Sequence, residues 1–386
     1  MNPIENPFNP GAGSPPPELA GRELILESAR IAIERAIKNK ATKSMLMLGI
    51  RGVGKTVLLN RIEQLAEINN CQTALFEAEP GLTLPQLLTE QLYRILLKLD
   101  RHKRISDDIQ NIFGMLRGFA SVFKVKYGEF EVGLTNDGTT GDLSIDLTDL
   151  FVAIGNAAKK RNNVVVVIID EVQYIDQKGL AALILALHKI SQRQLPLLFF
   201  GAGLPQLARL AGEAKSYAER LFDYPEVDRL PWKGAQNAIT VPLKRESVLI
   251  DKEALTYMLR QTDCYPFFLQ VWGYHVWNTA SKSPIRIQDA KKATQTALTE
   301  LDKGFFKVRM DRLTARQQEY AKAMAQLGPA PANSTEVSNL IGLTVKQAAP
   351  IRDELIKKGM AYSPKRGYIA FTVPKFDEFI KRKFPL

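Results

Sequence analysis

Eight consecutive residues, Gly49-Ile50-Arg51-Gly52-Val53-Gly54-Lys55-Thr56, constrain this chain more than any other stretch. They fit the spacing G-x-x-x-x-G-K-[ST], follow the apolar run Met45-Leu46-Met47-Leu48, and lead into Val57-Leu58-Leu59-Asn60-Arg61-Ile62, whose pattern predicts a helix. Strand, glycine-rich turn and helix in that order gather main-chain N–H groups into a cup at a helix N-terminus, where the helix dipole also favours anions. A phosphate fits such a cup. Gly49, Gly52 and Gly54 permit the tight turn, and Arg51, Val53, Lys55, Thr56 and Val57 complete the expected binding stretch. The Lys55 ammonium adds a point charge, and the Thr56 hydroxyl is a hard oxygen of the kind Mg²⁺ accepts while keeping most of its waters. A glycine turn that binds nothing is the alternative; the agreement of strand, spacing, Lys and Thr argues against it.

A second feature answers the first. Val164-Val165-Val166-Val167-Ile168-Ile169 is an unbroken β-branched run, as expected of a central parallel strand buried on both faces, and Asp170-Glu171 fall where it ends. With ATP in the cup, Asp170 is the expected Mg²⁺ partner of Thr56, and Glu171 the base that orients or deprotonates the attacking water. Acidic pairs at strand ends are common; this one gains meaning from the complete phosphate loop upstream.

The chain's 386 residues suffice for two or three domains. Apolar stretches such as Leu180 to Leu187 are far shorter than a bilayer requires. The first 17 residues, rich in Pro and Asn, lack the basic and apolar regions of a secretory signal, so a cytoplasmic protein is expected. Cys71 and Cys264 lie in unrelated contexts and are expected as buried thiols. The net charge of +11 is lopsided: from Lys303 onward 16 Lys and Arg face 7 Asp and Glu, so +9 of it lies in the last 84 residues. A basic end suggests a polyanionic partner, although solvated surface lysines give milder versions of the same bias.

In chain order, a Pro-rich arm over 1–18 precedes an amphipathic helix that opens after Leu19-Ala20-Gly21-Arg22-Glu23. Strands are expected at Gln72 to Ala78 and Leu195 to Phe200, with helices at Thr83 to Leu99 and Leu180 to Ile190. Phe123 to Leu134 alternates with period two around Tyr127-Gly128, predicting a hairpin insertion near 121–143. A short strand is expected around Val227, and from 232 to 302 short amphipathic helices follow.

Several of these segments together resemble P-loop ATPases of the AAA+ and STAND type, especially the archaeal initiator-like and bacterial stand-alone branches. The Gly21-Arg22-Glu23 turn is similar to the segment that lines their adenine pocket. Thr262-Asp263-Cys264-Tyr265-Pro266 looks like the Gly-x-Pro signature of their helical lid, whose proline packs near the adenine, although Cys264 stands in the glycine's place. Arg220 falls where such proteins carry an arginine that reaches a neighbour's γ-phosphate, which would require a homo-oligomer with ATP; a surface or interdomain ion pair is the equal alternative. The strand ending at Gly201-Ala202-Gly203 shows no polar sensor residue, unless a backbone group or Gln206 substitutes. The resemblance implies an α/β fold: a parallel-sheet P-loop core over 19–231, a helical lid over 232–302 and a winged helix-turn-helix over 303–386.

The last segment carries that reading itself. A long helix is expected from Lys303 to Leu327, a short one from Ser334 to Ile341 and a second from Thr344 to Lys358, followed by a hairpin tipped by Pro364-Lys365-Arg366-Gly367. Lys346, Gln347 and Arg352 would face the major groove or its phosphates, and Lys365 and Arg366 the backbone beside it. Two functions stay open: an ATPase acting on double-stranded DNA, and a slow-cycling signalling switch whose winged helix and hairpin bind a protein.

Overall fold

The computed structural model describes residues 1–11, 13–99, 106–125 and 139–384. The chain divides into two compact units, a core unit of Glu23–Gly49 and Lys55–Glu226, and a C-terminal unit of Met1–Arg22, Ile50–Gly54 and Val227–Leu386.

In chain order the core unit contains α1 (Glu23–Ile37), β1 (Ser44–Leu48), α2 (Lys55–Ile68), β2 (Gln72–Glu77), α3 (Leu84–Leu99), α4 (Asp107–Val122), α5 (Leu143–Lys160), β3 (Val165–Asp170), α6 (Gln177–Gln192), β4 (Leu197–Gly203), α7 (Leu207–Ala214), α8 (Ala218–Leu221) and β5 (Phe222–Asp223). The strands form one sheet in the order β2-β3-β4-β1-β5, and every neighbouring pair is parallel. A parallel sheet needs cover on both faces, and the residues of β3 and β4 supply it in alternation. Val165, Val167, Ile169, Leu197 and Phe199 join the apolar cluster that includes α3, α4, α5 and α6. Val166, Ile168, Leu198 and Phe200 are equally buried outside that cluster, and α2 packs on β2, β3 and β4. Every residue of β3 and β4 is buried.

Pairing extends β4 beyond the expected Phe200, because Gly201, Ala202 and Gly203 stay in register with Leu46, Met47 and Leu48. The short strand after α8 is at Phe222–Asp223 rather than around Val227. The expected hairpin gives way at both described ends to helix: residues 121 and 122 close α4, and Asp142 caps α5 by accepting from the Ser144 and Ile145 amides. Its alternating stretch from 126 to 134 lies outside the described residues.

The C-terminal unit continues with α9 (Trp232–Arg245), α10 (Lys252–Thr262), α11 (Pro266–Thr279) and α12 (Ile287–Glu300), which runs through a π-helical turn (Leu301–Phe306) into α13 (Lys307–Asp311). The expected helix from Lys303 to Leu327 is therefore two: the chain breaks after Asp311 and restarts at α14 (Ala315–Gln326), where Thr314 and Gln317 form a reciprocal cap. Then follow β6 (Ala332–Asn333), α15 (Ser334–Leu340), α16 (Val345–Lys357), β7 (Ala361–Tyr362), β8 (Tyr368–Phe371) and α17 (Phe376–Lys383). The three strands form an antiparallel sheet in the order β6-β8-β7.

The N-terminal arm is irregular but anchored. Trp277 donates through Nε1 to the Asn2 carbonyl at 2.8 Å, Asn6 donates to the Tyr274 carbonyl at 3.0 Å, and the Phe8 ring is buried against Gly273. The aromatics of α11 form the core of this unit: Phe268, Trp272 and Trp277 are buried, and Phe306 stacks on Phe379 with centroids 5.4 Å apart. Among the described residues no helix is long and apolar enough to cross a membrane. Both cysteines are buried free thiols, and burial pushes Cys71 up to about 11.

Candidate nucleotide site

The sheet order places β4 between the strand that feeds the glycine loop and the strand that ends in Asp170, so three strand ends converge on one edge. In open α/β sheets this carboxyl edge is where ligands bind. A ring of hydrogen bonds in the core unit joins the three ends. The Gly49 amide donates to the Gly203 carbonyl at 3.0 Å; the Thr56 hydroxyl donates to Asp170 Oδ2 at 2.5 Å; the Glu171 amide donates to Asp170 Oδ1 at 2.8 Å. Lys55 is buried at the start of α2, its Nζ donating to the Gly49 carbonyl at 2.9 Å.

Asp170 is buried, and that burial raises its carboxyl above the usual carboxylate range against the opposing pull of the Thr56 hydroxyl. A desolvated carboxylate beside a hydroxyl is a pair of hard oxygens whose cost of burial a divalent cation relieves. The residues present therefore fit Mg²⁺. Glu171 follows in the left-handed region, φ 52 and ψ 38. A non-glycine residue rarely adopts that conformation away from sites where side-chain aim matters.

The side chain that sequence reasoning missed is Gln173. Its amide nitrogen donates to Glu171 Oε2, and its amide oxygen accepts from the Leu204 amide at 3.0 Å. It thus supplies a polar group at the end of β4, where the sequence offers only Gly201-Ala202-Gly203. The one readable signal was the glycine itself: a Cβ on Gly203 would stand 2.6 Å from Gln173 Oε1.

The loop's tip, Ile50–Gly54, makes its contacts within the C-terminal unit. Arg22, buried in the Gly-Arg-Glu turn, donates to the Val53 carbonyl at 3.1 Å and to the Asp228 carbonyl. Gly21 has φ +70 and approaches Gly234 so closely that a Cβ on Gly234 would lie 3.2 Å from its Cα. The Phe267 amide, one residue past Pro266 at the start of α11, donates to the Gly52 carbonyl at 3.2 Å, and the Arg51 amide donates to the Thr372 carbonyl at 3.1 Å. Cys264, in place of the signature's glycine, still takes a positive φ of 54. Arg309, on α13, is a second residue that sequence reasoning missed. Burial and the neighbouring guanidinium groups of Arg51 and Arg312 push it down to about 10, and it lies over the Phe305 ring. Like charges held close together favour an anion among them.

Other expected site residues are placed as follows. Arg220 is exposed at the end of α8 and forms no salt bridge among the described residues. Lys346 is exposed on the first turn of α16, and Gln347 beside it is engaged in the helix cap, accepting from the Thr344 amide at 3.0 Å. Arg352 is turned to the hairpin, donating to Ser363 Oγ at 3.0 Å. Lys365 lies 4.0 Å over the Tyr368 ring, and Arg366 is exposed.

Residues 18–200 match the AAA ATPase domain. Over this stretch the chain has a P-loop ATPase domain similar to the AAA type. The chain is accordingly an ATPase that binds ATP through it. Residues 303–380 match a domain of unknown function, DUF8462, whose start falls within the π-helical turn between α12 and α13. No curated relative matches the chain by sequence. Among solved structures, the ATPase is similar to the Walker-type ATPase PABY2304 of Pyrococcus abyssi, with 16% identity and a TM-score of 0.56 over 93% of this chain and 95% of that one. It is also similar to the Aeropyrum pernix ORC2 protein in its ADP form, with 14% identity and a TM-score of 0.53 over 98% of both chains. At such identities the likeness is one of fold.

Proposed function

We propose that this ATPase is a nucleotide-dependent switch that acts on double-stranded DNA through a winged helix at its C-terminal end. The observation that carries the reading is the Arg51 amide bonded to the Thr372 carbonyl, together with the Phe267 amide bonded to the Gly52 carbonyl. The main chain of the phosphate loop's tip is thus hydrogen-bonded to two segments that phosphate entry would have to reposition. The winged helix rests on the order α14, β6, α15, α16, β7, β8 with an antiparallel sheet, and on the charge excess of +9 from Lys303 onward. The domain organisation proposed is an arm over 1–18, a core over 19–231, a helical lid over 232–302 and the winged helix over 303–386.

Within the site, Lys55 and the amides of Gly49 to Val57 hold the phosphates. Thr56 and Asp170 would hold Mg²⁺, which when bound neutralises phosphate charge. Glu171 takes the proton as the water oxygen attacks the γ-phosphorus and ADP leaves with the electron pair of the broken P–O bond. Gly21, Arg22 and Pro266 border the base, Arg22 by fixing Val53. Arg220 is the candidate finger to a neighbouring copy, since exposure with no ion partner among the described residues leaves it available. Lys346, Lys365 and Arg366 contact DNA phosphates. The engagement of Gln347 in a helix cap and of Arg352 with Ser363 assigns those two to shaping the module as much as to touching DNA.

That engagement also favours the second reading, a slow-cycling STAND-like switch whose winged helix contacts protein, because it leaves few side chains of α16 for base edges. Binding of a labelled duplex with ATP and with ADP, across a salt series, decides between them. Tighter binding with ATP and a steep salt dependence support the DNA reading; absent or salt-independent binding overturns it.

A further inference from the structure

We infer that Gln173 is a positioning residue for ATP hydrolysis: it fixes the carboxylate of Glu171 against the end of β4, so that a change at that strand end is transmitted to the base. The inference rests on the reading of Glu171 as the base.

The geometry leaves the carboxamide one orientation. A carboxylate can only accept and a main-chain N–H can only donate, so the amide nitrogen must face Glu171 and the oxygen must face Leu204. Both ends are satisfied, and neither partner tolerates a flip. Glu171 needs such a restraint because it leaves β3 in a left-handed conformation, on a short turn that does not itself fix the side chain. The other end of the link is equally defined. Leu204 directly follows Gly203, whose carbonyl accepts from Gly49, the first glycine of the phosphate loop. A continuous path of hydrogen bonds therefore runs from Gly49 through Gly203 and Leu204 to Gln173 and Glu171, and through Asp170 to Thr56. Gly203 is what makes room for it. Any side chain there meets Gln173 Oε1 at 2.6 Å and Leu207 Cδ2 at 2.8 Å, so Gly203→Ala must push the carboxamide aside. Before phosphate binds, this path holds the base in place. Displacement of Gly49 or Gly203 by an incoming γ-phosphate shifts the amide, and the carboxylate moves with it.

The test compares wild-type protein with Gln173→Met, which keeps length and bulk but removes both hydrogen bonds, and with Gly203→Ala, Glu171→Gln and the Gln173→Met/Glu171→Gln double variant. Steady-state ATP turnover, KM for ATP and thermal unfolding are measured on the full chain. A displaced base loses about 10- to 100-fold in rate without a matching loss of substrate binding. We expect Gln173→Met and Gly203→Ala each to lower kcat by that factor, with KM within about threefold and the unfolding temperature within a few degrees. In the double variant, Gln173→Met should add little to Glu171→Gln, because two residues that act as a unit are not additive. Wild-type kcat in Gln173→Met, loss of kcat only alongside a large fall in unfolding temperature, or full additivity in the double variant each overturns the inference. If Glu171→Gln itself turns over at the wild-type rate, the base assignment fails, and a fall in kcat for Gln173→Met then assigns the glutamine a role without Glu171, which also overturns the inference as stated.

Discussion

A lysine taken almost wholly out of water needs a partner for its charge, and Lys55 has one in the Gly49 carbonyl at 2.9 Å. The bond closes the loop on itself and holds the ammonium where an incoming phosphate would claim it. Lys55→Ala removes a charged hydrogen-bond donor worth about 1.5–3 kcal/mol, so ATP affinity should fall about 10- to 100-fold. Titration with a fluorescent ATP analogue checks this, and unchanged affinity would contradict the assignment of the cup. Glu171→Gln should bind ATP normally and retain it, read as bound ATP that survives gel filtration. At Gly273 the argument is steric: a Cβ would meet the Phe8 ring at 2.5 Å, so Gly273→Ala should destabilise by about 1–3 kcal/mol. Adding Phe8→Ala should recover part of that loss in urea unfolding. Were the arm a loose appendage, Gly273→Ala would be silent.

Among the elements, β3 was legible because β-branched residues without polar interruption can only be a strand covered on both faces, and the structure buries all six of its residues. The break at Arg312–Thr314 was not, because the apolar spacing across it stays helical and only Thr314 with Gln317 marks the restart. The π-helical turn was likewise hidden, since nothing in Leu301-Asp302-Lys303-Gly304-Phe305-Phe306 distinguishes one extra residue per turn; its aromatic packing with α11 and α17 decides it. Helices α4 and α5 offer a pH test. Arg161, capping the end of α5, holds the Asp108 carboxyl of α4 well below the usual carboxylate range. A depressed folded-state value means the ion pair contributes stability above about pH 4 and loses it as pH falls further. Asp108→Asn should be less stable than wild type at neutral pH, and the difference should begin to narrow as pH falls below about 4, measured by denaturant unfolding at each pH.

For the molecule as a whole, the placement of charge matters more than its total. With +9 of the +11 lying beyond residue 302, DNA affinity should fall linearly with salt on logarithmic axes, each phosphate contact contributing about 0.9 to the slope. Lys365→Ala combined with Arg366→Ala should reduce that slope by about two without changing ATP affinity. Light scattering with ATP, ADP and no nucleotide would establish whether Arg220 meets a neighbouring copy: an assembly that forms with ATP and is lost in Arg220→Ala supports the finger.

The sequence by itself determined the phosphate loop, the Asp-Glu strand, the parallel α/β core and the basic end, because each is written in local spacing or composition. The tertiary structure alone decided which distant groups meet. Gln173 reaches Leu204 across 31 residues, Arg51 bonds to Thr372, and Arg309 is held near Arg51 and Arg312. Such contacts depend on how strands are ordered and helices packed, and a glutamine or an arginine reads the same in sequence whether it faces water or closes a site.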